Sequence, residues 1–336
     1  MKVAFAELMA AALRVQALAP TLQGVGPGVL APLAKDPTSI GAAARLELAS
    51  KEVWALACAQ AQSLRTAGLQ MFMIAVKFGT QEEVNAANLA ALNVALGSID
   101  AGTLAALPPV PPLIPDIRAP LPPPAGLTGE KFSQLVTAGS SGAAAGFTTA
   151  ATTNGTGADT VALALREITA TVPDLWESPE GTAALAGRLT EHAGAANAVA
   201  ERWQALAEQS QKHAEVYSQA VTVLPKPMEF GQNDAAMHDA VSTNINGSNN
   251  AVISQLIRQR GELEQRALAT SARYHADTEA TTGPDGAAVP HSTPSGAHPA
   301  TGPGAGTPAG VAAKPGEAPV PKAAGGEAAS PAGQAG

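Results

Sequence analysis

The run WESPEG, residues 176–181, separates two long stretches that are rich in alanine and poor in charge. After it, residues 181–224 place apolar side chains at steps of three, four or seven, which predicts one helix on the order of 60 Å long. Ser178 is suited to the N-cap of that helix and Pro179 to its first position. The run therefore predicts a turn between two helices of an all-α, elongated helical bundle.

The first hundred residues carry a second pair of helical patterns. Apolar spacing predicts one helix over 3–19, ended by Pro20 and the glycines after it, and a second helix from Thr38 to Phe78. These helices are expected to pair as a hairpin over residues 1–100. Residues 101–126 follow as a proline-rich linker, for which a stiff spacer is favoured over a recognition motif for an SH3-like partner.

Residues 127–281 are expected to form a second, longer helical domain. Its first part is predicted as one or two helices interrupted at Asn154–Gly157, because threonine and glycine are weak helix formers. The segment Pro225–Gly231 is expected to stop the long helix, and helical periodicity resumes over Ala251–Thr278. Residues 282–336 have almost no bulky apolar side chain, so they are expected to form a disordered tail rich in Gly, Pro and Ala.

Composition restricts the function classes. The formal net charge is -8, from 20 basic and 28 acidic residues, and no basic stripe is available for a phosphate backbone, which argues against nucleic acid as a partner. No stretch supplies the roughly 20 apolar residues of a membrane span. Glu7 and Arg14 interrupt the first apolar run, so no cleaved N-terminal signal peptide is predicted.

The sequence offers no recognisable enzyme or metal site. The six histidines lack metal-ligand spacing, no GxSxG elbow frames a serine, and no glycine-rich loop fits a nucleotide-binding pattern. His213 falls on the apolar face of the long helix and is expected to be a satisfied interior or oligomer-facing histidine. Cys58 is expected to be a buried structural residue. These features predict a non-enzymatic protein with no cofactor and no metal.

Three features together resemble a known family. They are the segment FGTQEEVNAANLAAL at 78–92, the run WESPEG, and the order of hairpin, proline-rich linker, longer helical body and tail. Residues 3–97 resemble a PE domain and residues 127–281 a PPE domain. The arrangement is similar to the fused PE/PPE substrates of the EspB type, which mycobacterial type VII (ESX) secretion systems export.

The resemblance implies roles for particular residues. The family's secretion signal, a tyrosine followed four positions later by an acid, corresponds here to Phe78 and Glu82, so the ring and the charge are kept and the hydroxyl is absent. Residues i and i+4 share one helix face and can be presented together. The family's Trp-x-Gly interhelical turn corresponds to Trp176 and Ser178, with Gly181 close behind.

The resemblance also implies a function. It points to a protein exported by a type VII system to the cell envelope or the exterior, with the secretion machinery and a cytosolic chaperone as partners. Self-association and association with lipid or membrane follow from the same resemblance, although the chain shows no basic patch. The alternative is a cytoplasmic helical adaptor or chaperone-like binding module that uses an exposed helical face to hold its partner.

Overall fold

Helices are the regular structure of this chain wherever it can be described. The computed structural model describes residues 5–78, 109–112, 116, 118–124, 126–175 and 179–284. These residues belong to one compact unit, Met1–Pro290, and the second unit, His291–Gly336, lies outside them. The prediction of a disordered tail at 282–336 therefore concerns residues that lie almost entirely outside the described ranges.

Seven α-helices and two short 3-10 helices span the described residues, and no strand occurs among them. The α-helices are α1 (Phe5–Gln23), α2 (Pro37–Phe78), α3 (Gly129–Thr137), α4 (Ala145–Leu175), α5 (Pro179–Val223), α6 (Pro227–Ser242) and α7 (Asn250–Thr282). The 3-10 helices are Ser141–Ala144 and Ile245–Gly247. The prediction of an all-α fold is confirmed.

The end of α1 lies beyond the predicted stop at Pro20. The helix continues to Gln23, because a proline so close to the end removes one backbone hydrogen bond and leaves the remaining turns intact. Gly24 then ends the helix with φ of 62°, and its amide donates to the carbonyls of Pro20 and Thr21 at 3.3 and 3.2 Å. This left-handed position favours glycine. Gly24, and not Pro20 as predicted, therefore ends α1.

The predicted interruption at Asn154–Gly157 is also wrong. Helix α4 runs through these residues, because the small residues are used for close packing. A Cβ added at Gly155 would lie 3.3 Å from the Trp203 Cβ, and one at Gly157 would lie 3.1 Å from the Thr21 carbonyl oxygen. The helix-propensity cost of these glycines is offset by the contacts that their small size permits.

The segment Pro225–Gly231 does end the long helix α5, and it also begins a helix that sequence patterns did not predict. Pro227 occupies the first turn of α6, where its missing N–H costs nothing. The Glu229 side chain accepts a hydrogen bond from the Lys226 amide at 2.8 Å. Helix α6 then pairs with α7, where the Asn233 amide donates to the Leu256 carbonyl at 3.2 Å.

Two helix pairs, α1 with α2 and α4 with α5, pack together to form the core. Helices α1 and α2 form the predicted hairpin, and this hairpin packs against α4, α5 and α7. Alanine is the most frequent apolar residue in the described core, which permits closely spaced helices. The predicted apolar stripe of α2 faces inward, and its buried members are Leu46, Val53, Leu56, Leu64 and Met71.

Candidate functional site

The contact between the hairpin α1–α2 and the later helices is the best-built feature of the described residues. Its apolar part consists mostly of alanine and leucine. Within it, a small number of buried polar side chains connect elements that are far apart in sequence. Buried polar groups are costly unless they are paired, so these pairs indicate where the contact is specific.

Asn154 on α4 holds the loop that joins α1 to α2. Its side-chain oxygen accepts from the Val25 amide at 2.8 Å, and its side-chain nitrogen donates to the Gly26 carbonyl at 2.8 Å. The Gly28 amide in the same loop donates to the Ser50 hydroxyl at 2.8 Å. One amide side chain thus satisfies both a donor and an acceptor of the loop.

Gln60 and His192 form a second buried connection, between α2 and α5. The Gln60 side-chain nitrogen lies 2.9 Å from His192 Nδ1. Both residues are almost fully buried, at 1% and 0% exposed. The pair fixes which turn of α2 faces which turn of α5.

A third group of buried polar residues, the Asp36 node, lies where α2 begins. It comprises Asp36, Ser39 and Tyr274, each at most 2% exposed. Asp36 caps α2 by accepting from the Ser39 amide at 3.0 Å and from the Ser39 hydroxyl. Since the Ser39 hydroxyl donates to Asp36, the Tyr274 hydroxyl donates to Ser39 across 2.8 Å. The node therefore connects the N-terminus of α2 to α7.

Tyr274 packs among other rings in the same region. Burial, followed by the charge of Asp36, raises the pKa of Tyr274 well above its ordinary value, so its hydroxyl remains a hydrogen-bond donor. Tyr217 on α5 packs edge-on at 6.4 Å, and its hydroxyl donates to the Val136 carbonyl at 2.7 Å. The same two causes raise the pKa of Tyr217.

His213 on α5 stacks on the Tyr274 ring, with centroids 6.3 Å apart and an interplanar angle of 19°. It is 0% exposed, and neither ring nitrogen has a hydrogen-bond partner among the described residues. Burial lowers the pKa of His213 to about 4. The predicted interior location is confirmed.

The proline-rich linker contributes a short segment, residues 116 and 118–122, that lies across α2, α5 and α7; we call it the strap. Arg118 donates to Gln209 Oε1 at 2.6 Å and to the Thr282 carbonyl at 2.9 Å. It also pairs with Asp116, with an N–O distance of 2.6 Å. The strap is thus bound to the end of α7 by direct hydrogen bonds.

Arg45 on α2 completes the contact with the strap. Its guanidinium pairs with Glu279 at 2.9 Å, donates to the Thr282 hydroxyl at 3.1 Å, and contacts the Ala119 carbonyl. Glu279 also accepts from the Leu121 amide at 2.7 Å. Burial acts to raise the pKa of Glu279, but the hydrogen bonds from Arg45 and Leu121 outweigh it and leave that pKa lowered.

The residues singled out by sequence are mostly outside the description. Phe78 is the last residue of α2, but its side chain and the whole of Glu82 lie outside the described residues. Trp176 and Ser178 lie outside them as well, and Gly181 falls in the first turn of α5. The secretion signal and the interhelical turn therefore stay predictions.

Other candidate chemistry can be checked only within the described ranges. No group of three His, Cys, Asp or Glu residues there could hold a metal ion. No helix in the same ranges is long and apolar enough to cross a membrane. Cys58 is half-buried rather than fully buried. Burial raises the pKa of its thiol, partly opposed by the charge of Arg65.

Helices α3 to α7 lie in a segment that matches the model of a known protein family. Residues 129–284 match the model of the PPE family. The match covers a little under half of the chain, and we call residues 129–284 the PPE-like region. The PPE-like region begins at Gly129, the first residue of α3, and extends two residues past the end of α7. No curated protein matches the chain at a significant level.

Two solved structures are similar to this chain. The crystal structure of EspB from the ESX-1 type VII secretion system matches with a TM-score of 0.50 and 12% sequence identity, and the match covers 80% of this chain and 92% of the EspB chain. A chain described as a mycobacterial protein matches with a TM-score of 0.49 and 12% identity, and that match covers 79% of this chain and 90% of the other chain. At this identity, the likeness to EspB establishes a shared fold.

Sequence reasoning missed the residues that join the hairpin to the PPE-like region. One signal was available: Asp36 precedes Pro37 and stands three residues before Ser39, which is the pattern of a helix N-cap followed by proline at the first position. The partners of Arg45 and Arg118 lie more than 70 residues away in sequence. No local pattern could have paired them.

Proposed function

We propose that this protein is a non-enzymatic substrate of a type VII (ESX) secretion system. The observation that carries the proposal is the match of residues 129–284 to the PPE family. The fold shared with EspB supports it, because that protein comes from the ESX-1 system. In this proposal the protein is secreted or held in the cell envelope.

The hairpin is proposed to be the PE-like half of a fused substrate, with the domain limits expected from sequence. Its support is the buried contact with α4, α5 and α7, in which Asn154 and Gln60 connect the two halves. A hairpin that is docked in this way would leave the cell as one folded body with the PPE-like region.

The export signal is proposed to be the aromatic ring of Phe78 and the carboxylate of Glu82. The spacing of four residues supports it, because one helical turn would present both groups side by side to a receptor. The turn at Trp176, Ser178 and Gly181 is proposed to be structural and to connect α4 to α5.

Self-association, a cytosolic chaperone and association with lipid are further parts of the proposal. They rest on resemblance to the family. The described residues include exposed apolar side chains near the connection between α6 and α7, such as Val241 at 56% and Ile245 at 74% exposed. Such side chains are compatible with a partner surface.

The alternative, a cytoplasmic adaptor, required the apolar stripe of α2 to remain open to a partner. That stripe is buried, with Leu46, Leu64 and Met71 at 0% exposed. Its atoms pack against the chain itself, so they are not available as a docking face. The observation favours the secretion substrate.

Export is tested by expressing the tagged full chain in a type VII-competent mycobacterial host and in a mutant of that host whose secretion ATPase is inactive. We expect the protein in the culture filtrate or cell envelope of the first host and in the cytosol of the second. Retention in the cytosol of both hosts would reject the proposal. A cytosolic marker protein measures lysis in each fraction.

The signal is tested by replacing Phe78→Ala and Glu82→Ala together, which should abolish export. The matched control is Leu48→Ala with Glu52→Ala, an apolar and acidic pair with the same spacing on α2; Leu48 is 58% exposed. The control should be exported as well as the unsubstituted chain. Normal export of the Phe78/Glu82 variant would remove the signal assignment and leave the substrate assignment standing.

A further inference from the structure

His213 is a buried imidazole whose surroundings accept only its neutral form. Both ring nitrogens are buried and neither has a hydrogen-bond partner among the described residues. A neutral ring in this position loses hydrogen bonds to water at modest cost. An imidazolium would bring a full charge and two N–H donors with no acceptor into the same site, which is far more costly.

The titratable groups around His213 can be named element by element. Tyr274 faces it from α7, Tyr217 lies one turn further along α5, and Asp36 belongs to the turn before α2. The adjacent part of α4, residues 145–154, contains no titratable side chain. Helix α3 contributes the buried ring of Phe132, 6.4 Å from Tyr274.

His275 follows Tyr274 on α7, and its Nδ1 lies 3.3 Å from the Thr38 hydroxyl in the first turn of α2, so it is a second titratable group at this end of α2. The remaining charged groups nearby are engaged or directed outward. Glu130 on α3 pairs with Arg260 at 2.6 Å. Lys131, Lys212 and Lys35 are exposed to solvent. Within the described residues, Asp36 is therefore the buried carboxylate of this region.

The geometry couples His213 to the hairpin through Tyr274. The histidine ring stacks on Tyr274, whose hydroxyl donates to Ser39, which in turn donates to Asp36. Both Asp36 oxygens already accept hydrogen bonds from Ser39. No hydrogen bond joins His213 to Asp36, so Asp36 could receive an imidazolium N–H only if the Tyr274 ring or the Asp36 turn moved.

A groove of about 520 Å³ runs between α5 and α7 beside the Asp36 node, and Tyr274, Val216 and Ala220 are among the residues that line it. A small displacement of the Tyr274 ring would let water from the groove reach the node. Hydration would then replace the hydrogen bond between Tyr274 and Ser39, which holds the N-terminus of α2 to α7; the ion pair of Arg45 with Glu279 lies further along α2.

We propose that His213 is an acid-sensitive lock: when its imidazole takes up a proton, the Asp36 turn and the first turns of α2 separate from α5 and α7. The rest of the hairpin stays docked, held by Asn154 on α4 and by the Gln60–His192 pair. The device acts within the folded chain and is independent of how the protein is exported.

The direction of the effect follows from linkage. Burial depresses the pKa of His213 from 6.5 to about 4, so the docked state binds the proton less well than the released state. Docking is at full strength above pH 6.5 and weakens as the pH falls toward 4. At the lower end, the ratio of docked to released chain should have fallen by about 160-fold.

The test is hydrogen–deuterium exchange of the purified full chain between pH 7.5 and 4, corrected for the pH dependence of the intrinsic exchange rate. We expect faster exchange in residues 37–50 and 270–282 with a midpoint between pH 4 and 6.5. Residues 8–22 of α1 should keep their protection. Unchanged protection of residues 37–50 down to pH 4 would overturn the proposal.

The decisive variant is His213→Phe, which keeps a ring against Tyr274 and cannot be protonated. It should remain docked at pH 4.5. His238→Gln is the matched control, because the His238 side chain is 84% exposed, and it should open as the unsubstituted chain does. Opening of His213→Phe at the same midpoint as the unsubstituted chain would contradict the proposal.

A second measurement covers the case in which His213→Phe does not fold. Proton NMR of the histidine rings in the unsubstituted chain should show His213 titrating below pH 6, in step with the loss of protection in residues 37–50. Titration of His213 near 6.5 while that segment stays protected would also overturn the proposal. His213→Leu offers a smaller replacement for the same exchange experiment.

Discussion

Single glycines decide how closely these helices approach each other. A Cβ added at Gly68 on α2 would lie 2.8 Å from the Ala12 carbonyl oxygen, which belongs to the α1 backbone and cannot move aside easily. A Cβ added at Gly194 on α5 would meet no atom within 4 Å. The two glycines are thus opposite cases in helices of similar composition.

We therefore expect Gly68→Ala to destabilise the protein by about 1–3 kcal/mol, because it forces α1 and α2 apart. Gly194→Ala, the matched control, should stabilise it by up to about 1 kcal/mol, because alanine favours an exposed helix interior. Chemical denaturation of the two variants measures both values. A stabilising effect of Gly68→Ala would show that α1 and α2 are less closely packed than described.

For single residues, the sequence predicted the buried faces of helices better than it predicted the roles of glycines within them. The stripe with Leu46 and Leu64 was identified from spacing alone, because burial follows the helical period. Gly155 and Gly157 were interpreted as a break, since propensity does not reveal a neighbour such as Trp203. A glycine that ends a helix and a glycine that admits another helix look the same in one sequence.

Among the elements, the strap is the one whose role depends most on long-range pairing. Prolines predicted that residues 107–126 would not be helical, which holds for the part described. They gave no indication that Arg118 would bind α5 and α7, or that Arg45 would meet the strap. Likewise, the prediction that Pro225–Gly231 ends the long helix did not include a new helix at Pro227, although proline is also common at the first helical position.

We expect Arg45→Met to loosen the strap and the last turn of α7. The change removes the partner of Glu279, whose side chain is 38% exposed, so the cost should be about 1–3 kcal/mol, less than for a fully buried pair. The pKa of Glu279 should rise, because the hydrogen bond that lowers it is lost. Thermal unfolding and carboxyl-carbon NMR measure the two effects.

Arg188→Met is the matched control for that variant. Arg188 pairs with Glu191 at 2.7 Å on the surface of α5, with side chains 40% and 53% exposed. Exposed pairs contribute little, so this change should alter stability by less than about 0.5 kcal/mol. Equal losses in the two variants would mean that the strap contact does not stabilise the fold.

For the whole molecule, the buried contact implies that the hairpin stays bound to the PPE-like region even when the connecting chain is cut. Co-expressed as separate tagged pieces, residues 1–90 and 109–336 should purify together through affinity and size-exclusion steps. The substitution Leu64→Asp in the first piece should prevent this, because Leu64 is 0% exposed. Independent elution of the unsubstituted pieces would show that the contact depends on the covalent connection.

A core lined largely by methyl groups has one further consequence. Alanine faces are nearly alike from one turn to the next, so apolar packing alone would discriminate poorly against a helix shifted along its axis by a turn. Gln60 with His192, and Arg45 with Glu279, would lose their partners in any such shift. We expect these few polar atoms to select a single alignment among several of similar apolar quality.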